Sequence, residues 1–498
     1  MLKRVSVVTI FTAINLVATF ANQAVLACVF GAGAGMDAFL ASGAIPFAIL
    51  TLAIGDLGYV LVPLLLQYER SGEVQRVIDL SFTAISLIAA GLTMVGILAN
   101  RWILRASTAG KLPTHTFELA VSISPTIWVV VGLTVLGSFL TGVHHYRRSF
   151  ALPAMTLVMP YLAMMAGAVA AGARIGIVAV ALGWAAGLLI RNLVLYAGLP
   201  WPKARLCWSL REPAIAKLLK SLFPLGISLL PFAVLPSIDV FWASRLPVGS
   251  ISYLGYSSRI GIALTAIAVQ GICVVLFPHL SDDMGNGRVD FFRVKLLGAM
   301  KAIVLIIVPM VVLMIVLRVP LLELALQRGS FTHTSTVCVA RVLPFYLIGT
   351  IWMAMMNIVI RGFYASGNYA TPAKLGLASV LLYTVLSGLL IHRFSYVGIG
   401  MAYAVYWFVN CMLQLHCLEK TVGKLLTAEM LLFIAKVVLS SALVGLAIFG
   451  IVGPLSAMFG RIMSIVSVGM AGLSLFLLVT RYIFRIPQFR TFFAAVRD

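Results

Sequence analysis

The chain consists of long apolar runs that are separated by short polar segments. Within each run the apolar residues are continuous rather than alternating, which is typical of membrane-spanning helices of about 20 residues and not of barrel strands. Because lipid satisfies no backbone polar group, such runs must be helical. The predicted spans cover roughly 6–29, 38–66, 77–100, 117–141, 151–172, 175–198, 219–241, 251–277, 296–317, 338–360, 373–391, 397–418, 429–452 and 462–482. We therefore predict an all-α polytopic membrane protein of about 14 transmembrane helices.

The composition supports a membrane protein. Of the 498 residues, 62% are hydrophobic and only 10% are charged, and the mean hydropathy is +1.08. A soluble protein of this length could not bury so much apolar surface. A net charge of +21 would suggest nucleic acid as the partner of a soluble chain. Here the basic residues lie mostly in loops, so we expect membrane lipids as partners and no nucleic acid.

The distribution of basic residues predicts the orientation in the membrane. If the N-terminal MLKR lies inside, 24 of the 36 Lys and Arg residues are cytoplasmic, 9 lie on the opposite side, and 3 lie within or at the ends of spans. Arg191 is counted in the cytoplasmic group. Such an excess of positive charge predicts that both termini lie in the cytoplasm.

Two pairs of similar segments indicate an internal repeat. LVPLLLQYERSGE resembles LFPHLSDDMGNGR in layout, and GVHHYRRSFALPA resembles GFYASGNYATPA, each at an offset of roughly 215–220 positions. These offsets predict two parallel six-helix lobes that share one orientation. The predicted domains are an N-terminal lobe (1–198), a basic cytoplasmic linker (199–218), a C-terminal lobe (219–418) and an extra helix pair, 13 and 14 (429–482).

Ionisable residues inside predicted spans are the candidates for function, because charge within a membrane is costly. They are Asp37, Asp56, Asp239, Arg259, Lys301 and Arg341. Asp56 lies midway along its span, where a carboxylate must pair, take up a proton or face water. Arg259 lies about two turns into its span, too deep for easy snorkelling, and its fork suits a phosphate.

Structural roles compete with functional ones at several of these positions. Asp37 follows the glycines of FGAGAGMDAF and could serve only as the N-cap of the second span at the outer interface. Lys301 and Arg341 are expected to snorkel towards the membrane surface.

Signals for an enzyme are weak. SDDMG (281–285) could suggest a metal-dependent glycosyltransferase, but without a nucleotide-binding domain we interpret it as a solvated turn. The glycines of GAGAG lack the strand–turn–helix context of a dinucleotide site. The six cysteines have no CxxC spacing, and we interpret them as small hydrophobic residues. We expect no enzymatic activity, no cofactor and no metal.

Several motifs together resemble those of a known family. In chain order they are FGAGAGMDAF, VPLLLQYERSG, YSSRI, LFPHLS, LLELALQRGSFT and RGFYASGNYATPAK. Their order and spacing are similar to those of the MviN/MurJ-type lipid flippases, whose superfamily (MOP) also includes the MATE drug exporters and the Wzx-type flippases. The resemblance covers about residues 20–380. It implies a V-shaped pair of lobes that moves a polyprenyl-diphosphate-linked sugar across the inner membrane by alternating access.

The resemblance also implies roles for individual residues. Arg259 matches an arginine of helix 8 that meets the diphosphate, and Asp37 matches the acidic residue that opens helix 2. Asp239 falls where some members have a carboxylate linked to a cation site, and Asp56 is a second candidate for cation coupling. Asn22 would offer uncharged hydrogen bonds to the head group.

This sequence departs from the family pattern where the lipid II flippases carry other functional side chains. Uncharged residues stand at the positions of the helix 1 arginines, the helix 2 arginines and the helix 11 partners of the cation site: Leu16, Asn22 and Cys28; Ile49 and Leu50; Tyr383 and Ser387. These departures favour a different cargo, namely an undecaprenyl-diphosphate-linked oligosaccharide repeat unit of a xanthan-type exopolysaccharide. Polysaccharide polymerase and export proteins are then expected partners. Two alternatives are a lipid II flippase and a cation-coupled drug antiporter of the same superfamily.

Overall fold

A computed structural model of the chain describes residues 2–54, 57–69, 72–199, 202–207, 212–459, 471–472, 474–476 and 478. In this part of the chain the regular structure is entirely helical and no strand is found, which confirms the predicted all-α fold.

The helices, in chain order, are α1 (Leu2–Phe30), α2 (Ala34–Ser42), α3 (Ala44–Ile54), α4 (Leu57–Glu69), α5 (Val74–Ser107), α6 (Thr114–Tyr146), α7 (Ala151–Thr156), α8 (Met159–Ile175), α9 (Val178–Ala197), α10 (Pro213–Ala233), α11 (Leu235–Ala243), α12 (Ser250–Gly285), α13 (Val289–Val316), α14 (Arg318–Ala325), α15 (His333–Ala365), α16 (Ala370–Phe394), α17 (Tyr396–Val422) and α18 (Ala428–Phe459).

The predicted spans coincide with these helices from the first span to the thirteenth, counting broken helices together. Among the described residues, 10 helices are long and apolar enough to cross a membrane, or up to 12 if each of two bent pairs is one span. Most of the predicted fourteenth span (462–482) lies outside the described residues. The count of 14 therefore stays a prediction.

The predicted second span is broken. α2 and α3 meet at Gly43 with a bend of 46°. Pro46 contributes to the break, because its ring nitrogen cannot donate to the carbonyl of Ser42 and its ring crowds the preceding turn. A further difference from the sequence prediction is α14, a short helix in a region predicted as a loop.

The chain divides into two compact units. The first comprises Met1–Ser252 together with Leu326–Thr332, and the second comprises Tyr253–Ala325 and His333–Asp498. α10 and α11 belong to the first unit because they pack on α3, α4 and α5. This unit is therefore larger than the predicted lobe 1–198. The predicted repeat and its domain boundaries stay predictions.

The first unit is organised around α6, which packs against α2, α3, α4, α5 and α9. Glycines allow close helix contacts, as expected in membranes. A Cβ atom at Gly142 would lie 3.0 Å from Leu61 of α4, and one at Gly183 would lie 2.4 Å from the Ala163 carbonyl of α8. Leu61, Phe139 and Leu195 form the buried core between α4, α6 and α9.

The second unit is organised around α15, which packs against α13, α14 and α17. α17 also packs against α16, and α18 packs against α13. In both units long apolar side chains point outwards, for example Leu98 and Trp102 of α5 and Leu446 and Phe449 of α18. Such apolar surface is expected where helices face lipid.

Candidate functional site

Asp37 is a buried carboxylate in the first turn of α2, and it is bonded to the start of α12. Its Oδ2 accepts a hydrogen bond from the backbone N–H of Gly249 at 2.5 Å. Its Oδ1 accepts one from the backbone N–H of Ser252 at 2.8 Å and one from the Ser252 hydroxyl at 2.5 Å. One carboxylate thus satisfies donors that a helix N-terminus leaves without intrahelical partners.

The position of Asp37 differs from a simple N-cap of its own helix. Gly33 occupies the N-cap of α2, and Asp37 lies four residues later. Its partners are more than 200 residues away in sequence. The negative charge is stabilised by charge-assisted bonds and by the positive end of the α12 dipole.

A second long-range contact lies at the end of α1. The backbone N–H of Ser330 donates to the carbonyl of Cys28 at 2.7 Å, and the Ser330 hydroxyl donates to the carbonyl of Val29 at 2.9 Å. The approach is so close that a Cβ atom at Gly31 would lie 2.3 Å from the Ser330 carbonyl oxygen. Gly31 and Gly329 both have positive φ, which favours glycine.

These contacts explain two motifs together. The glycines and aspartate of FGAGAGMDAF receive the RGS turn of LLELALQRGSFT and the N-terminus of α12. We call this cluster of Cys28, Gly31, Asp37, Ser252 and Ser330 the Asp37 junction. All of its members belong to the first unit.

The first unit also contains a cavity of about 620 Å³. Side chains of α1, α4, α6, α8 and α9 line it. One face of α6 contributes residues at intervals of three and four, namely Thr134, Ser138, Thr141 and His145. The volume lies in the range of small-molecule sites, and its wall mixes apolar, aromatic and polar groups.

Arg191 of α9 belongs to the wall of this cavity, and its side chain is only 7% exposed. Within the described part of the chain it is the only Lys or Arg that is buried. The side of the membrane on which Arg191 lies stays a prediction, but the residue is buried within α9 and is not part of an exposed loop. The helix continues for six more residues beyond Arg191, and the neighbouring wall of α6 covers the guanidinium.

The other predicted residues of the first unit lie elsewhere. Asn22 is buried in α1, where its amide nitrogen lies 4.0 Å from the sulfur of Met164. The α1 asparagine that lines the cavity is Asn15, two turns earlier. Asp239 is a buried residue of α11 that interacts with neighbouring groups. Asp56 lies outside the described residues.

The predicted residues of the second unit are described separately. Arg259 is half-buried in α12 and interacts with neighbouring groups. Tyr383 and Ser387 of α16 are fully buried. The Nζ of Lys301 lies 2.7 Å from Oε1 of the exposed Glu429 at the start of α18, and the expected snorkelling of this lysine stays a prediction. Arg341 is exposed.

The SDDMG segment is not a solvated turn. It forms the last turns of α12, and the Asp283 side chain is only 2% exposed. Oδ2 of Asp283 lies 2.5 Å from Lys295 Nζ, and Oδ1 lies 3.3 Å from Arg288 Nη2. Among the described residues, no group of His, Cys, Asp and Glu has the arrangement of a metal site.

Comparison with known proteins identifies relatives over nearly the whole chain. The family described as "Lipid II flippase MurJ" matches residues 26–483. The lipid II flippase MurJ of Burkholderia cenocepacia is 26% identical over 426 residues, which cover 82% of both chains. The probable lipid II flippase MurJ of Vibrio cholerae is 25% identical over 470 residues, which cover 89% of this chain and 87% of that one.

Solved structures share the fold. A lipid II flippase MurJ in an inward closed conformation superposes with a TM-score of 0.82 at 18% identity, over 96% of this chain and 98% of that one. An inward-facing multidrug resistance MATE family transporter of the MOP superfamily gives a TM-score of 0.70 at 14% identity, over 82% of this chain and 95% of that one.

Proposed function

Because this chain belongs to the family of the lipid II flippase MurJ, we propose that it translocates an undecaprenyl-diphosphate-linked oligosaccharide repeat unit for exopolysaccharide assembly. Members of the family are flippases, which transport lipid-linked substrates and are not enzymes. The chain is accordingly a multi-pass membrane protein. In this proposal it resides in the bacterial inner membrane with both termini in the cytoplasm and delivers the repeat unit to the periplasmic face.

One observation carries the choice of an oligosaccharide other than that of lipid II. Between Arg4 and Arg70 the sequence contains no Lys or Arg, so α1, α2, α3 and α4 beyond the first turn present no basic side chain. The resemblance implied several diphosphate-binding arginines in this region. A substrate site with fewer arginines than in the lipid II flippases suits a head group that is bound mainly through hydrogen bonds to its sugars and less through its diphosphate.

In the proposed mechanism Arg259 binds the diphosphate and the Asp37 junction acts at the periplasmic mouth. An arginine binds phosphate oxygens in pairs through its planar fork. Asp239 and Asp56 are proposed to couple transport to a cation gradient, and polymerase and export proteins are proposed to receive the product.

The test uses a deletion strain of the source organism complemented with variants at equal membrane level. We expect Arg259→Ala to abolish secreted polymer, whereas Arg341→Ala, which removes an exposed arginine, leaves the yield unchanged. Purified wild-type protein in proteoliposomes should translocate a labelled undecaprenyl-diphosphate oligosaccharide. Unchanged polymer yield with Arg259→Ala would contradict the assigned role of this residue.

Lipid II is the second candidate, because both relatives named above are described as lipid II flippases. Depletion of the protein distinguishes the two candidates. Arrest of cell-wall synthesis and lysis would support lipid II, whereas viable cells that lose only their polysaccharide would support the leading proposal.

A further inference from the structure

The guanidinium of Arg191 is buried with few partners. Its Nη2 donates to Oγ1 of Thr141 at 3.1 Å, and this is the only hydrogen bond that it forms with the described part of the chain. Its Nε is buried and has no hydrogen-bond partner among the residues that the structure describes. No carboxylate among the described residues forms an ion pair with it. A guanidinium offers five N–H donors, so most of its capacity is unused.

A buried cation without a counterion is unfavourable in a purely structural role. Removing a charge from water costs several kcal/mol unless pairing and hydrogen bonds compensate, by order of magnitude. Apolar residues fill comparable positions between helices at no such cost. The retained charge therefore calls for an anionic ligand that supplies the missing acceptors.

The surrounding residues leave space for this guanidinium and for a ligand. A Cβ atom at Gly137 of α6 would lie 2.8 Å from Arg191 Nη1, so glycine provides the room that the charged group occupies. The cavity beside it also exposes Tyr161 and Trp184, together with Asn15, whose Oδ1 has no partner among the described residues. Phenol, indole and amide groups at such a wall suit the sugar side of a head group.

The hydroxyls of α6 are not available to donate hydrogen bonds to an anion. Those of Thr134, Ser138 and Thr141 donate to carbonyls of their own helix at 2.7–2.8 Å. The Oγ1 of Thr141 also accepts the hydrogen bond from Arg191 and so orients the guanidinium. The cavity thus offers one strong cationic donor, held in place by α6 and α9.

From these observations we propose that Arg191 forms an anion subsite in the cavity of the first unit, which takes a phosphate or diphosphate group. In the transport cycle this group belongs to the polyprenyl-linked substrate, a point that rests on the proposed function. The subsite supplies the first unit with a cation from α9, where α1, α2, α3 and α4 offer none beyond the first turn of α1.

The experiment measures binding of defined probes to the purified full-length protein by native mass spectrometry. The probes are undecaprenyl diphosphate, undecaprenol and inorganic diphosphate. We expect Arg191→Gln to weaken undecaprenyl diphosphate binding by about 10- to 100-fold, the range for loss of charge-assisted bonds, and to leave undecaprenol binding unchanged. Arg191→Lys should recover only part of the loss, because it restores charge without the fork.

Two further variants separate the site from general effects of charge or folding. Gly137→Ala keeps the arginine but fills its space, so it should also weaken diphosphate binding. Arg174→Gln removes an exposed arginine at the end of α8 and should leave binding unchanged. Unchanged undecaprenyl diphosphate affinity in folded Arg191→Gln would overturn the proposal. Tight binding of inorganic diphosphate that also depends on Arg191 would identify free phosphate compounds as the ligand source.

The outcome is separable from that of the proposed function. If wild-type protein translocates the labelled oligosaccharide lipid but Arg191→Gln binds undecaprenyl diphosphate normally, the subsite is wrong and the function stands. If binding depends on Arg191 but the oligosaccharide lipid is not translocated, the subsite stands and the function is wrong.

Discussion

Asp37 and Arg191 are both buried charges of the first unit, but their surroundings are opposite. Asp37 accepts three hydrogen bonds and lies at the positive end of a helix, so the protein itself provides its partners. The Arg191 guanidinium forms one hydrogen bond with the described residues, and it borders a cavity. A buried charge whose hydrogen bonds are all formed within the protein stabilises one arrangement of the chain. A buried charge with unused donors can instead bind a ligand that supplies the acceptors.

The largest expected effect comes from removing the satisfied charge. Asp37→Ala leaves the N–H groups of Gly249 and Ser252 buried without acceptors, so we expect a loss of about 4 kcal/mol in the free energy of unfolding. Asp37→Asn should lie between this variant and wild type. Thermal unfolding of the purified protein in detergent measures the loss. The control is Asp290→Ala, which removes an exposed carboxylate from the first turn of α13. Equal Tm values for the two alanine variants would contradict the structural role.

The next effect tests the backbone contact of the Asp37 junction. Gly31→Ser should cost about 3 kcal/mol, because Gly31 has φ +63° and an added Cβ would lie 2.3 Å from the carbonyl oxygen of Ser330. Gly33→Ser is the matched control two residues away. Its added Cβ meets no atom within 4 Å, and serine is a favourable N-cap. A Tm for Gly31→Ser as high as that of Gly33→Ser would show that the RGS turn does not dock closely on α1.

A smaller effect is expected for a carboxylate whose partners are half-exposed. Asp283→Asn weakens the ion pairs with Lys295 and Arg288, whose side chains are 40% and 48% exposed, so we expect a loss of about 1–2 kcal/mol. The adjacent Asp282→Asn removes a carboxylate that is 65% exposed and should cost less than about 0.5 kcal/mol. The difference in Tm between the two variants measures the contribution of burial. If the two variants had the same Tm, the sequence-based interpretation of SDDMG as a solvated turn would be supported instead.

The smallest effect, and the one of opposite sign, is expected for Arg191→Met. This variant removes one hydrogen bond, but it also removes a buried charge that has no counterion in the described part of the chain. We therefore expect the free energy of unfolding to be unchanged or to rise by about 1 kcal/mol. Thermal unfolding without added lipid substrate is the measurement. A large loss of stability would assign Arg191 a structural role and would remove the contrast with Asp37.

The apolar pattern was sufficient to predict the helices, because each run exceeds the length needed to cross the membrane. It did not predict the break at Gly43, although glycine followed by Pro46 carried a signal for it. The partners of Asp37 were beyond prediction from local sequence. These partners, Gly249 and Ser252, are brought to the start of α2 only by the fold of the whole first unit.

Arg191 shows why the burial of a single residue is not predicted by its position along a span. An arginine near the end of a span, next to Asn192, has the sequence signature of a cytoplasmic interface. Its burial is decided by α6, where Gly137 leaves space and Thr141 provides an acceptor. The sequence of α9 itself does not indicate that the residues facing Arg191, about 50 positions earlier in the chain, are small or can accept a hydrogen bond.

During synthesis the first unit is still incomplete when the ribosome has translated Ser252, because one of its segments comes later in the chain. The turn that bonds to the end of α1 lies in Leu326–Thr332, about 80 residues later. At translation rates of 5–20 residues per second, this delay is on the order of ten seconds. Through that interval the carbonyls of Cys28 and Val29 lack the partners that Ser330 later provides. The N-terminal helices therefore complete their packing only after the first segment of the second unit, Tyr253–Ala325, has been made.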